Sequence, residues 1–354
     1  VHAARGAVVG AAVGEAMALT AIEQGGWPDA VMGGAGELTC PWGSGVAQLI
    51  AVGESVARGE APPFDVGVVG VVAAAIADSL VGSGAPLLTD PDAAEVHGMI
   101  GDLIRSGSCS PQGDGVTAIA AQAALAAAFE DAVRETCRSG SDPRAAALAG
   151  AFAGARLGVT AIPSRWLTYV EGPGGRRTHR HRDLVRLADR LVGHEVRHAP
   201  DPRRRIGPVE VLDGVWAANA HRVPSFCARF PEGAVISMCP MGDALDGHPV
   251  RRTFLIEDVA ARGANPRLAA VVDELVATIA AFRAEGRQVL VHCHHGVSRT
   301  GLALRAWLME GTELDESAAT SEVEARWPWL STANERFTQL LQQRGSGTRA
   351  PAPE

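Results

Sequence analysis

The apolar run Val289-Leu290-Val291 passes without a break into His292-Cys293-His294-His295-Gly296-Val297-Ser298-Arg299-Thr300-Gly301, and then into Leu302-Ala303-Leu304-Arg305-Ala306-Trp307-Leu308-Met309. The first run predicts a buried strand and the last a helix, with a tight loop between them. This unit constrains the chain more than any other stretch. A loop that leaves a strand end and opens a helix aims its backbone N–H groups at one point, and the helix dipole adds positive potential there. Such a nest takes an anion of about three oxygens. Arg299 closes the ring with a planar fork suited to phosphate. Cys293 lies beneath that anion. The field that holds the anion also favours the thiolate, so one cradle makes the nucleophile and binds its substrate.

The rest of the chain bounds what surrounds this unit. At 354 residues it is too long for one ordinary core and suits two domains. A hydrophobic content of 47% fits a folded protein, and a net charge of −8 argues against non-specific nucleic-acid binding. Cysteines 40, 109, 137, 227, 239 and 293 are scattered, with no Cys-x-x-Cys pair, so neither a disulfide framework nor a zinc site is expected. A reducing, cytoplasmic compartment follows, as a reactive thiolate needs. The apolar start is broken by Arg5, Glu15 and Glu23 and predicts no signal peptide. The apolar run 66–77, bracketed by Asp65 and Asp78, is too short to cross a bilayer, so no membrane partner is expected.

Residues 1–196 are rich in small residues with helical spacing at 5–17, 44–58, 117–137, 144–157 and 183–192, and strand-like alternation is nearly absent. An all-α domain is expected, its glycines allowing helices to approach closely. Residues 197–208, with three prolines and the run Arg203-Arg204-Arg205, predict a linker; the arginines suit a solvated hinge or an acidic partner. From 209 the period changes. Strands are predicted at 209–212, 234–238, 252–256 and 288–292, and helices at 265–285, 300–309, 315–326 and 332–343. Interleaved strands and helices give an α/β domain over 209–344 with a mostly parallel sheet, the loop after Cys293 lying at the carboxyl end of a strand, where such sheets bind ligands. Residues 345–354 form a polar tail.

The stretch His-Cys-x-x-Gly-x-Ser-Arg-Thr resembles the signature of cysteine-dependent protein phosphatases, and the likeness extends over about residues 209–343. Val-Leu-Asp-Gly-Val-Trp-Ala-Ala-Asn-Ala and Val-Ile-Ser-Met are similar to the first strands of the dual-specificity group, and Trp327-Pro328, Asn334, Phe337 and Leu341 to its end. The resemblance implies Cys293 as nucleophile, Arg299 as phosphate binder and Thr300 as the hydroxyl that hydrogen-bonds the thiolate. It implies that His292 braces the loop from behind, and that the loop residues His294, His295, Gly296, Val297 and Ser298 line the substrate. No metal or cofactor is implied. The substrate is a phosphorylated protein or a small phosphomonoester.

Attack on phosphorus expels an alkoxide or phenoxide that needs a proton. In the dual-specificity group an Asp after the strand that precedes the long helix supplies it. Here that strand ends in Glu257-Asp258; Asp258, 35 residues ahead of Cys293, is the expected acid and Glu257 its rival. His294 and His295 stand where small or varied residues are common. They either add charge or hydrogen bonds at the rim or contribute only backbone N–H groups.

The run Ala145 to Gly158 followed by Ala161-Ile162-Pro163-Ser164-Arg165-Trp166 is similar to the end of the ADP-ribosylglycohydrolase fold, and Arg5-Gly6 to Gly14-Glu15-Ala16 to its beginning. Gly36-Glu37-Leu38-Thr39 resembles the approach to its first metal motif. That family is all-α and binds two magnesium-type ions through carboxylates and hydroxyls. This chain has Thr39-Cys40-Pro41-Trp42 and Ser141-Asp142-Pro143-Arg144 where the family has its Asp-rich motifs, and Glu15 in place of an Asp. The expectation is a degenerate relative, acting as a scaffold or as a binder of an ADP-ribose-type ligand. Two other readings stand beside the phosphatase: an ADP-ribosylglycohydrolase with an auxiliary phosphatase domain, and a phospho-binding module without turnover.

Overall fold

A computed structural model describes residues 1–23, 40–60, 67–81, 90–108, 115–139, 142–168, 170–172, 180–194, 206–241, 245, 248–261 and 264–345. The chain divides into two compact units, Val1–Arg197 and His198–Glu354. The motif approach at 36–39, the three arginines at 203–205 and the tail after 345 lie outside the described residues.

The first unit is helical. Its described helices are α1 (His2–Glu23), α2 (Ser44–Ala57), α3 (Val71–Val81), α4 (Pro91–Ser106), α5 (Val116–Ala123), α6 (Phe129–Ser139), α7 (Pro143–Leu157), α8 (Ser164–Leu167) and α9 (His181–Leu191). A two-residue parallel pairing joins β1 (Cys40–Pro41) to β2 (Val170–Glu171). Its central feature is the crossing of α1 and α7. A Cβ on Gly6, Gly10 or Gly14 would lie 1.9 Å, 2.1 Å or 2.0 Å from the carbonyl oxygen of Gly154, Gly150 or Ala146. Partner numbers fall as α1 rises, so the helices run antiparallel. The four-residue spacing puts all these contacts on one face of each helix, where two backbones touch directly.

Helix α1 is long and apolar enough, by length and composition, to cross a membrane, and 78% of that apolar window is buried inside the structure. In the sequence Arg5 and Glu15 interrupt this run. In the structure Arg5 is paired with Asp189 of α9 at 2.6 Å, and Glu15 is buried. A helix apolar on every side is the pattern of a core helix as well as of a span. The expected helix at 117–137 divides into α5 and α6, and α3 and α4 were not anticipated. Helix α4 carries a clear start signal, the Asp90 cap, and a clear stop signal, the left-handed Gly107.

The second unit is a five-stranded sheet with helices on both faces. Its elements are β3 (Val209–Leu212), β4 (Val215–Asn219), α10 (Val223–Arg229), β5 (Ala234–Ser237), β6 (Arg251–Thr253), α11 (Leu268–Ala284), β7 (Val289–Cys293), α12 (Ser298–Gly311), α13 (Glu316–Arg326) and α14 (Glu335–Gly345). The strand order is β3-β4-β7-β5-β6, with β3 antiparallel to β4 and every other pair parallel. Strand β7 is central and all five of its residues are buried. One face packs Ile236, Val289 and Val291 against Val272, Leu275 and Ile279 of α11 and Leu302 of α12. The other packs Val235 and Leu290 against Trp216, Val223 and Phe226.

Periodicity missed β4 because a strand buried on both faces, here Val-Trp-Ala-Ala-Asn, shows no alternation. The strand expected at 252–256 stops at Thr253; Phe254 still donates its N–H to Ser237, and the chain then leaves the sheet edge toward the loop after Cys293. Ile206, assigned to the linker, is buried in the second unit's core.

Helix α12 is tied to α13 by a buried pair. Arg305 is fully buried and donates from Nη1 to Glu316 Oε1 at 2.6 Å and from Nε to the carbonyl of Gly301 at 3.2 Å. Removing one member of such a pair strands the other charge in the core, at a cost of about 3–5 kcal/mol. Arg305→Met is therefore expected to lower the denaturant midpoint of the second unit sharply, and the double replacement Arg305→Met with Glu316→Leu to recover most of the loss. A single variant as stable as the parent would show that the pair contributes nothing.

Candidate active site

The site is built at the carboxyl end of β7. In register, Cys293 is level with Asn219 of β4, and His292 with Ser237 of β5. His292 is fully buried and its Nε2 lies 2.7 Å from Ser237 Oγ. Burial pushes its pKa down to about 4, and the Arg299 and His294 charges push the same way. The neutral imidazole is thus walled in beneath the loop and held by Ser237. Ser237 was not singled out in the sequence: the two residues are 55 positions apart and meet only through strand pairing.

Gly296 makes the turn. Its φ of +74° is left-handed, and a Cβ there would lie 2.8 Å from the carbonyl oxygen of Ala218 at the end of β4. Its own carbonyl accepts from Trp327 Nε1 at 3.0 Å. The loop is thus clamped from both sides, and the chain enters α12 at Ser298 with Cys293 behind the helix N-terminus. Cys293 is 2% exposed. The nearby thiol of Cys239 is pushed up to about 12 by burial, with Cys293 acting in the same direction and Arg299 against it. Burial also holds Cys137 at about 11. Those two are inert thiols.

Arg299 is held across the ends of two other segments. Its Nη1 donates to the carbonyls of Met238 at 2.8 Å and Ile256 at 3.0 Å. Its Nε is buried without a hydrogen-bond acceptor among the described residues and lies 3.8 Å from Asp258 Oδ2. A fixed guanidinium with an unsatisfied inward donor is what a tetrahedral anion would complete.

Asp258 is the carboxylate that the fold brings to the loop. Its Oδ1 accepts from Ser298 Oγ at 2.8 Å and from Asn334 Nδ2 at 3.1 Å, and its side chain is 35% exposed. The side chain of Glu257 is buried, and its backbone N–H and carbonyl are both bound by the Asn265 amide, at 3.0 and 2.8 Å. Asn265, expected inside the long helix, instead pins the segment that presents Asp258. The Ser298 hydroxyl is engaged with Asp258. One expected contact differs in the structure. The Thr300 hydroxyl is buried with no hydrogen-bond partner among the described residues, so its expected bond to the Cys293 sulfur is not formed here.

His294 is half-buried and His295 exposed. Their rings meet edge to face at 4.8 Å between centroids, and His221, from the turn after β4, lies 6.2 Å from His294. Sequence spacing gave no hint of His221, which is 73 positions from its neighbour.

In the first unit the carboxylates at the family's motif positions are turned to other uses. Glu15 accepts the backbone N–H groups of Gly43, Gly45 and Val46 at 3.0, 2.9 and 2.9 Å, capping α2. Burial raises its pKa, against those three N–H groups, which favour the ionised form. Asp142 caps α7 and is gripped by the Arg144 side chain, which lowers its pKa. Trp42 stands buried in the first motif. Among the described residues these carboxylates are taken up by backbone N–H groups and by Arg144, an arrangement that does not fit a pair of magnesium-type ions.

Comparison with known proteins finds two families, each matching a different part of the chain. Residues 256–345 match the family described as dual specificity phosphatase, catalytic domain, which takes in Asp258, the Cys293 loop and Asn334. Residues 30–201 match ADP-ribosylglycohydrolase. The dual specificity protein phosphatase 12 of Homo sapiens is 43% identical over 70 residues, which are 20% of this chain and 20% of that protein, so the match spans about a fifth of the relative's length. Among solved structures, human DUSP28 is 22% identical, with 43% of this chain and 98% of that one covered and a TM-score of 0.36. Tk-PTP in its active form is 22% identical, with 39% and 97% covered and a TM-score of 0.33. The chain therefore couples an ADP-ribosylglycohydrolase-like region to a dual-specificity-phosphatase-like domain.

Proposed function

We propose that the second unit is a metal-independent phosphomonoesterase acting through a cysteinyl-phosphate, on phosphotyrosine, phosphoserine or phosphothreonine or on a small phosphate ester. The Cys293 sulfur attacks phosphorus as the bond to the leaving oxygen breaks, and Asp258 gives that oxygen its proton. Water, deprotonated by the same carboxylate, then attacks phosphorus, breaks the S–P bond and releases inorganic phosphate. Arg299 and the loop N–H groups carry the negative charge of the equatorial oxygens throughout. The observation that supports this reading best is the meeting of Asp258 with Arg299 and Ser298 at the loop that begins with Cys293. The first unit, on this reading, is a scaffold or an ADP-ribose-type binding region without two-metal hydrolysis. A nucleophile of this kind needs a reducing compartment such as the cytoplasm, and Cys137, Cys227, Cys239 and Cys293 are all free thiols.

The test is hydrolysis of p-nitrophenyl phosphate by the full chain with and without chelator. Turnover is expected to be indifferent to chelator and blocked by vanadate. Activity that requires a metal and disappears with chelator would overturn the mechanism. Magnesium-dependent release of ADP-ribose from modified protein, lost in Asp142→Ala, would overturn the reading of the first unit.

A further inference from the structure

The segment between α13 and α14, residues 327–334, is fastened to the site at both ends. Trp327 Nε1 donates to the carbonyl of Gly296, and Asn334 Nδ2 donates to Asp258 Oδ1. Within the segment Leu330 turns inward onto Gly301 of α12, where the missing Cβ leaves room, and its N–H donates to the carbonyl of Trp327 at 3.0 Å. Trp329 turns outward. It is 38% exposed, and its ring meets that of Trp327 edge to face at 4.8 Å between centroids. That is its one ring contact among the described residues, and its indole N–H makes no hydrogen bond among them. Trp327 itself is fully buried, so a single fixed indole separates Trp329 from the Gly296 turn of the cradle.

Exposed apolar side chains are ordinary when they are scattered. Here they are gathered at one place. Among the described residues of the second unit only two large apolar side chains are exposed, Trp329 and Val259. Val259 follows Asp258, so the two lie on segments that the Asp258–Asn334 hydrogen bond joins. A phosphoryl group held by Arg299 and the loop N–H groups turns its ester oxygen toward Asp258, and the carbon group on that oxygen leaves the cradle past these segments. An aryl ring bonded to that oxygen is rigid and apolar, and it suits an indole face or edge. An ester of serine or threonine brings polar peptide groups to the same place, which an apolar face does not favour.

We propose that Trp329, with Val259 beside it, is the specificity residue that receives the aromatic ring of an aryl phosphate such as phosphotyrosine. The inference rests on the phosphatase reading for the position of the phosphoryl group. Trp329 adds binding and takes no part in bond making or proton transfer.

The experiment measures binding with the full-length Cys293→Ser protein, so that leaving-group chemistry plays no part. Two peptides of one sequence are compared by calorimetry at fixed pH and ionic strength, one carrying phosphotyrosine and the other phosphoserine. The phosphotyrosyl peptide is expected to bind on the order of tenfold more tightly, the scale of one aromatic contact with its buried area. The preference is expected to fall toward one when Trp329→Gln is added and to survive Trp329→Phe, which keeps a ring. Trp329 is exposed, so neither change empties the core, and binding of inorganic phosphate reports that the cradle is folded in each variant. Equal affinity for the two peptides, or a preference that Trp329→Gln leaves intact, would overturn the inference. The phosphatase reading is judged separately, by turnover of p-nitrophenyl phosphate by the unmodified protein.

Discussion

Cys293→Ser is expected to abolish turnover of every phosphate ester while leaving phosphate and vanadate bound, and Arg299→Ala to lose both turnover and binding. The nucleophile and the anion site share a loop but not the same atoms. Serine keeps the backbone from β7 into α12, the Gly296 turn and the Trp327 clamp, so the cradle survives. A serine hydroxyl without a base stays protonated, so the covalent step fails, at a cost on the order of 10⁴–10⁶-fold, the scale seen when a covalent enzyme loses its nucleophile. Arg299→Ala removes the guanidinium that Met238 and Ile256 hold in place and leaves two carbonyls without their donor. Two accompanying observations are expected. Iodoacetamide should modify Cys293 in preference to the thiols of Cys137 and Cys239, which burial holds at about 11 and about 12, and vanadate should protect it. Mild peroxide should inactivate the enzyme and thiol restore it. A serine variant that hydrolyses esters at the parent rate would sink the covalent mechanism.

The second large effect should come from Asp258→Asn, and it should depend on the leaving group. An alkyl phosphate expels a strongly basic oxygen that needs a proton in the transition state; an activated aryl phosphate does not. The variant should therefore lose about 100–10,000-fold on the alkyl ester and far less on the aryl one. Asparagine can keep one oxygen facing Ser298 Oγ, so the loss reports protonation more than disorder of the loop. Glu257→Gln should leave the two substrates in their original ratio, since the Glu257 side chain is buried and its segment is fixed by Asn265 through backbone groups. Asn334→Ala should fall between, because it removes one of the two donors that aim Asp258. Equal losses on both substrates with Asp258→Asn, or none, would move the proton to Glu257 or to water.

Much of this was legible in the residues because it is local. Cys293, Gly296, Arg299 and the strand and helix that flank them are consecutive, so spacing alone predicts a strand, a turn and a helix N-terminus around one anion. The four-residue recurrence of Gly6, Gly10 and Gly14, and of Gly150 and Gly154, likewise marks helix faces made for close approach. The division into a helical and an α/β part follows from the change of period near residue 209. Tertiary structure alone decided the rest, since each remaining choice depends on residues far apart in the chain. Glu257 and Asp258 are adjacent and chemically alike; the edge strand ends at Thr253 and Asn265 grips the backbone, so one carboxylate turns inward and the other meets Ser298 and Arg299. Pairing of β5 with β7 brings Ser237 under His292, and pairing of β4 with β7 brings His221 beside His294. Glu15, which the resemblance sets at a metal position, is claimed by the N-terminus of α2, because three backbone N–H groups without helix partners lie within its reach. Propensity and spacing act along the chain, whereas the neighbours of the Cys293 loop are chosen by which strands lie side by side.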